Sequence, residues 1–197
     1  MNYLAHLFLS GSNPAIIVGN FIGDSVRGSQ LDHFSEGIQK GIQLHRAIDT
    51  FTDQHPLVHE AKSFFVPVFD KYSGVLIDIF FDHVLAKNFS NYSLLSLNDY
   101  SQKILRVLSE NKKDLPEAAL GFYKYMVAND VPQCYANLKG IQMVLGGMTY
   151  RIKNRFNLVD AIEIFNANAI YIEELFTTYF PLLQKFSIEF RNDEESY

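Results

Sequence analysis

The chain has no tryptophan and a single cysteine, Cys134, among 197 residues. One cysteine excludes an internal disulfide, and nothing in the composition asks for an oxidising compartment. Cys134 reads as a small core hydrophobe before it reads as a catalytic thiol. Net basic charge is also lacking. The formal charge is -5, which argues against a general nucleic-acid coat and leaves room only for a local basic patch. No apolar run approaches the ~20 residues needed to span a bilayer. The opening Met1-Asn2-Tyr3-Leu4-Ala5-His6 lacks the basic n-region of a signal peptide. The expectation is a cytoplasmic protein without membrane or nucleic-acid partners, its oligomeric state open. Strand-like alternation is scarce, and no repeat or linker divides the chain.

What is present is a globular composition, 48% hydrophobic and 20% charged, with apolar residues mostly at helical spacing. That predicts an all-α, single-domain helical bundle over 1–197, its acidic tail from about 192 to 197 frayed. Asn13-Pro14 reads as an N-cap and first helical residue, opening a helix through Arg27 that Gly28-Ser29 ends. Further helices are expected over 35–52, from Pro56 onward, and over 73–88, 98–110, 116–128, 132–153 and 158–190. The last should kink at Pro181.

Several polar residues lie on apolar stripes. Ile38, Ile42, His45 and Asp49 share one helical face, so a His-Asp pair points inward. Val75, Ile79, Asp82 and Ala86 repeat the arrangement, with His83 turned about 100° away. Asp24 lies among apolar residues, and His6 sits between Leu4, Leu7 and Leu9. Buried polar groups are costly unless paired or metal-bound. Asp24, His45, Asp49 and Asp82 are therefore expected to converge on one metal, Mn, Fe, Zn or Mg, with Mn favoured where carboxylates dominate. The plainer alternative is that each is a hydrogen-bonded core residue or a cap. Arg27 and Arg46 lie close in sequence and suit a phosphate ester, unless they pair with Asp32, Asp49 or Asp53. His33, His55 and His59 look like surface residues. Arg151, Lys153 and Arg155 form the densest positive cluster, suited either to steering an acidic partner or to complementing a helix C-terminus.

At these positions the sequence resembles the acyl-carrier-protein phosphodiesterases. The matching stretches are Met1 to Leu7, Gly19-Asn20-Phe21-Ile22-Gly23-Asp24-Ser25-Val26-Arg27-Gly28, Gly41 to Asp49, Thr52 to Pro56, Phe81 to Ala86, and Val144 to Met148 with Arg151. The resemblance implies an all-helical fold distantly related to metal-dependent phosphohydrolases of the His-Asp type. It implies Mn²⁺-dependent hydrolysis of holo-acyl-carrier protein to apo-protein and 4'-phosphopantetheine. The family's acidic and histidine positions fall on Asp24, His45, Asp49, Asp82 and His83. His83 or His6 would protonate the leaving serine oxygen, and Arg27 and Arg46 would neutralise the phosphoryl oxygens. The chain departs from the family in having Phe89 where tryptophan is familiar, and 90–130 match only loosely. The competing expectations are a phosphohydrolase of nucleotides or other small phosphoesters, and a non-catalytic helical protein that binds a carrier or ligand.

Overall fold

Local sequence chemistry starts several of the helices. In a computed structural model, residues 3–153 and 155–192 are described, and they form ten α-helices with no strand among them. Asn13 caps α2 (Pro14–Ile22) by accepting the Ala15 N–H at 3.0 Å, with Pro14 at the first position. Ser35 precedes α3 (Glu36–Gln54) in extended conformation. His55 ends α3 and caps α4 (Pro56–Ser63) through its ring. Asn137 caps α9 (Leu138–Arg151) by accepting from Gly140 N.

The remaining elements are α1 (Tyr3–Leu9), α5 (Val66–Phe69), α6 (Ser73–Lys87), α7 (Leu97–Glu110), α8 (Glu117–Ala128) and α10 (Ala161–Asn192). α6 is buried on nearly every face from Leu76 to Ala86, as a helix apolar all round must be. Phe80 on it lies between Phe65 and Phe165, ring centroids 5.3 and 4.5 Å away. α10 continues through Pro181, which offers no N–H to the Thr177 carbonyl; Thr177 is an exposed residue.

The structure moves four expected boundaries. The helix expected to reach Arg27 ends at Ile22; Gly23–Ser25 form a 3₁₀ turn, and Val26 is extended. Gly28-Ser29, expected to terminate it, opens a second 3₁₀ stretch. The helix expected from Pro132 starts only at Leu138, after 3₁₀ residues Gln133–Ala136. Of the expected frayed tail, Asn192 is still helical and 193–197 lie outside the described residues. The short α1 and α5 carry no periodic signal of their own.

α2 and α3 cross at glycines. A Cβ at Gly19 would run into the Ile38 carbonyl oxygen, and one at Gly41 into that of Ile16. The backbones therefore approach to near contact, which sets Asn20 of α2 against His45 of α3. We expect Gly41→Ala and Gly19→Ala each to destabilise the protein by about 1–3 kcal/mol or more through overpacking. Urea unfolding checks this: the midpoint should fall with the m-value unchanged, and wild-type midpoints would contradict the crossing.

Candidate metal centre

A hydrogen-bond chain runs from α6 to the cavity. Asp82 is fully buried and accepts the Leu4 N–H at 2.7 Å and the Ala5 N–H at 3.1 Å, capping α1. That fixes α1, and α1 presents His6 to Asn20. The Asn20 Nδ2 donates to the His6 carbonyl at 2.9 Å, so its Oδ1 is the acceptor facing both imidazoles. His6 Nδ1–H donates to that Oδ1 at 2.9 Å. His45 Nδ1–H donates to the Asn20 carbonyl at 2.8 Å, with Oδ1 at 3.1 Å.

With both Nδ1 atoms committed as donors, both Nε2 atoms point into the cavity. His6 Nε2 lies 3.1 Å from Asp49 Oδ1. His45 Nε2 lies 3.2 Å from Asp24 Oδ1 and 3.3 Å from Asp49 Oδ2. The rings stack at 4.1 Å, so two positive charges there would repel. Burial works against a proton on His45, but Asp24 and Asp49 outweigh it and hold its pKa up at about 9. Burial lowers His6 instead. Asp49 is drawn far below the usual carboxylate range, because the His45 and His6 hydrogen bonds overcome its burial. The His45 hydrogen bond likewise lowers Asp24. His6 Nε2 and the Asp49 carboxylate thus face each other at hydrogen-bond distance, where a cation could take the place of the shared proton. His6, His45 and Asp49 each offer a ligand atom within 4.8 Å of the others. The donors fit a divalent ion, and each ring's second nitrogen is already held, as metal-bound histidines require.

The cavity, about 270 Å³, is lined by Tyr3, His6, Asp24, His45, Asp49, Asp53 and Asp78. Gly23 makes room for the imidazole: a Cβ there would lie 2.6 Å from His45 Cβ and Cδ2. The structure brings Asp24, His45 and Asp49 together, with Asp24 on a 3₁₀ turn rather than an α-helix. It does not bring Asp82 in: both carboxylate oxygens are taken by α1 N–H groups. His83 is turned away as well, its Nδ1–H donating to the Tyr135 carbonyl at 2.7 Å. His6, a candidate acid by sequence, stands among the metal-type donors. Neither Arg27 nor Arg46 lines the cavity; Arg46 donates to the Val26 carbonyl at 2.9 Å and pins the loop. The cavity residues missed in the sequence are Tyr3, Asp53 and Asp78, together with Asn20 behind them. Asn20 could have been found as a lone amide inside an apolar helix, and Asp78 as the residue one turn before Asp82. Cys134 is half-buried, and burial pushes its thiol up to about 11, which leaves it protonated.

Fold and cluster together define an all-α protein with a His-Asp cluster that could hold a metal ion. A family model described as acyl carrier protein phosphodiesterase matches residues 1–183, and the chain belongs to that family. It is similar to a Yersinia pestis protein named acyl carrier protein phosphodiesterase, at 28% identity over 94% of this chain and 96% of that one. A protein of the same name from Shigella boydii serotype 18 is 30% identical over 92% of this chain and 94% of its own. No solved structure matches the chain.

Asp82 generates a pH prediction. Burial raises it to about 7, against the pull of the Leu4 and Ala5 N–H groups. Its folded pKa exceeds the ordinary value of 3.8, so its contribution to stability is full below that value and is lost as pH rises through about 7. Metal-free wild type should lose unfolding free energy between about pH 4 and about pH 7, by on the order of a few kcal/mol. Asp82→Asn should flatten that slope in denaturant titrations, whereas equal slopes would contradict the assignment.

Proposed function

We propose that this protein hydrolyses holo-acyl-carrier protein to apo-protein and 4'-phosphopantetheine, using a divalent cation, Mn²⁺ foremost, held by His6, His45 and Asp49 with Asp24 at the open side. The observation that carries this is the pair of imidazole Nε2 atoms fixed toward carboxylate oxygens by Asn20. The donor mix of two imidazoles and carboxylates is compatible with Mn as with Fe or Zn, and Mn is the ion that the family resemblance implies. When bound, such a cation supplies Lewis-acid charge to phosphoryl oxygens and makes water more acidic.

The chain's own residues do the rest. Asp24, with 73% of its side chain exposed, accepts a hydrogen bond from the attacking water and orients it toward phosphorus. Asp49 keeps both histidines in register. Carboxylates dominate the cavity wall, so an anionic diester enters only with countercharge. Arg151 supplies some of that charge: it lines the adjoining cavity with Asp24 and Asp78. This role replaces the one expected of Arg27 and Arg46. Arg151, Lys153 and Arg155 together attract an acidic carrier to the face from which the diester enters. Asp82 and His83 act as positioning residues for α1 and for the Gln133–Ala136 segment.

Incubation with Mn²⁺ and holo-carrier, followed by mass spectrometry, tests the reading. The carrier should lose the mass of phosphopantetheine, and chelation should stop the loss. Asn20→Ala should weaken Mn²⁺ binding about 10–100-fold, as expected when a ligand's outer partner is removed, with the helical circular dichroism retained. An intact carrier alongside turnover of small nucleotide esters would contradict the proposal.

A further inference from the structure

A second cavity, about 250 Å³, adjoins the His-Asp centre and shares Tyr3, Asp24 and Asp78 with it. Its character differs. The walls are Val75 and Ile79 of α6, Phe122 and Tyr125 of α8, and Val144 and Met148 of α9, with Tyr135 on the 3₁₀ segment before α9 and Arg151 at the end of α9. Tyr3 and Phe122 stack at 3.9 Å and form a flat aromatic wall leading away from the cluster. Tyr3 stands three residues before His6 on the same short helix, so the groove wall and the metal-type donor are set by one element.

Resting on the hydrolysis reading above, we propose that the groove walled by Tyr3, Phe122, Tyr125, Val144, Met148 and Arg151 receives the pantetheine arm, selecting phosphodiesters that carry a long neutral amide chain. A diester at the cluster projects one substituent each way. The carrier's serine bears a whole protein, which cannot enter a space of 250 Å³; a slender chain can. The arm's methyl and methylene groups match the apolar walls. Its amides match the phenols of Tyr3 and Tyr125. Burial raises both phenols above the ordinary range, so they remain neutral donors. No Lys or Arg other than Arg151 lines either cavity among the described residues, and Arg151 stands where the arm's phosphate would cross between them.

Calorimetry on the Mn²⁺-loaded protein tests this with three probes: 4'-phosphopantetheine, inorganic phosphate and adenosine monophosphate. In wild type, 4'-phosphopantetheine should bind about tenfold or more tighter than inorganic phosphate, the scale set by burying a few methylene groups. It should also outbind adenosine monophosphate. Met148→Trp fills the groove from a half-buried position, and Val144→Trp does so independently; each should cut the ratio of the two dissociation constants within the same protein to about threefold or less. The phosphate constant of each variant reports whether its centre is intact. Equal binding of all three probes by wild type, or a ratio kept by both Trp variants, overturns the groove assignment. Carrier cleavage is read separately by mass: a wild type that leaves holo-carrier intact yet shows the groove-dependent preference refutes the hydrolysis reading and not the arm site.

Discussion

The structure turns on one amide. Asn20 gives its Nδ2 hydrogen to the His6 carbonyl, and this leaves only acceptor oxygens facing the two imidazoles. His6 and His45 must then donate from Nδ1 and present Nε2 to Asp49 and Asp24. A neutral imidazole cannot donate from both nitrogens. In the metal-free protein a proton held on His45 by Asp24 and Asp49 joins those contacts; a divalent cation bound through both Nε2 atoms would displace that proton. The hydrogen-bond directions that would suit these donors to a metal are set outside the candidate ligand shell.

The surrounding fold exists to hold that amide and those rings. Gly19 and Gly41 let α2 and α3 touch, Gly23 leaves space for the His45 ring, and Asp82 ties α1 to the most buried helix. Asp82 therefore stabilises the site without touching it. The same short α1 carries Tyr3 toward the apolar cavity and His6 toward the polar one. In the proposed reading, placement of the substrate's arm and placement of the metal would both depend on α1.

Part of this was legible in the sequence. His45 and Asp49 stand four apart on a 19-residue helix with regular apolar spacing, so periodicity alone put them on the inward face. Asp82 was read inward correctly, but whether an inward carboxylate meets a metal or a helix N-terminus depends on a neighbour 78 positions away. α1 spans only seven residues, too short to show a period, so His6 had no assigned face. Arg27 and Arg46 lie beside site residues in sequence, yet a 3₁₀ turn and the helical rotation carry them off the cavity. Arg151 was recognised as basic, but its contact with the site depends on α9 packing across α6, which local pattern does not encode.

The central claim is that two histidines from α1 and α3, held by Asn20, bind one divalent ion through Nε2. Electron spin-echo spectroscopy of the Mn²⁺-loaded protein tests it directly. The account predicts modulation from two coordinated imidazole nitrogens, one disappearing in His6→Ala and the other in His45→Ala, while Asp82→Asn keeps both. A Mn²⁺ spectrum without directly bound nitrogen, or one that keeps both nitrogens when either histidine is removed, would contradict it.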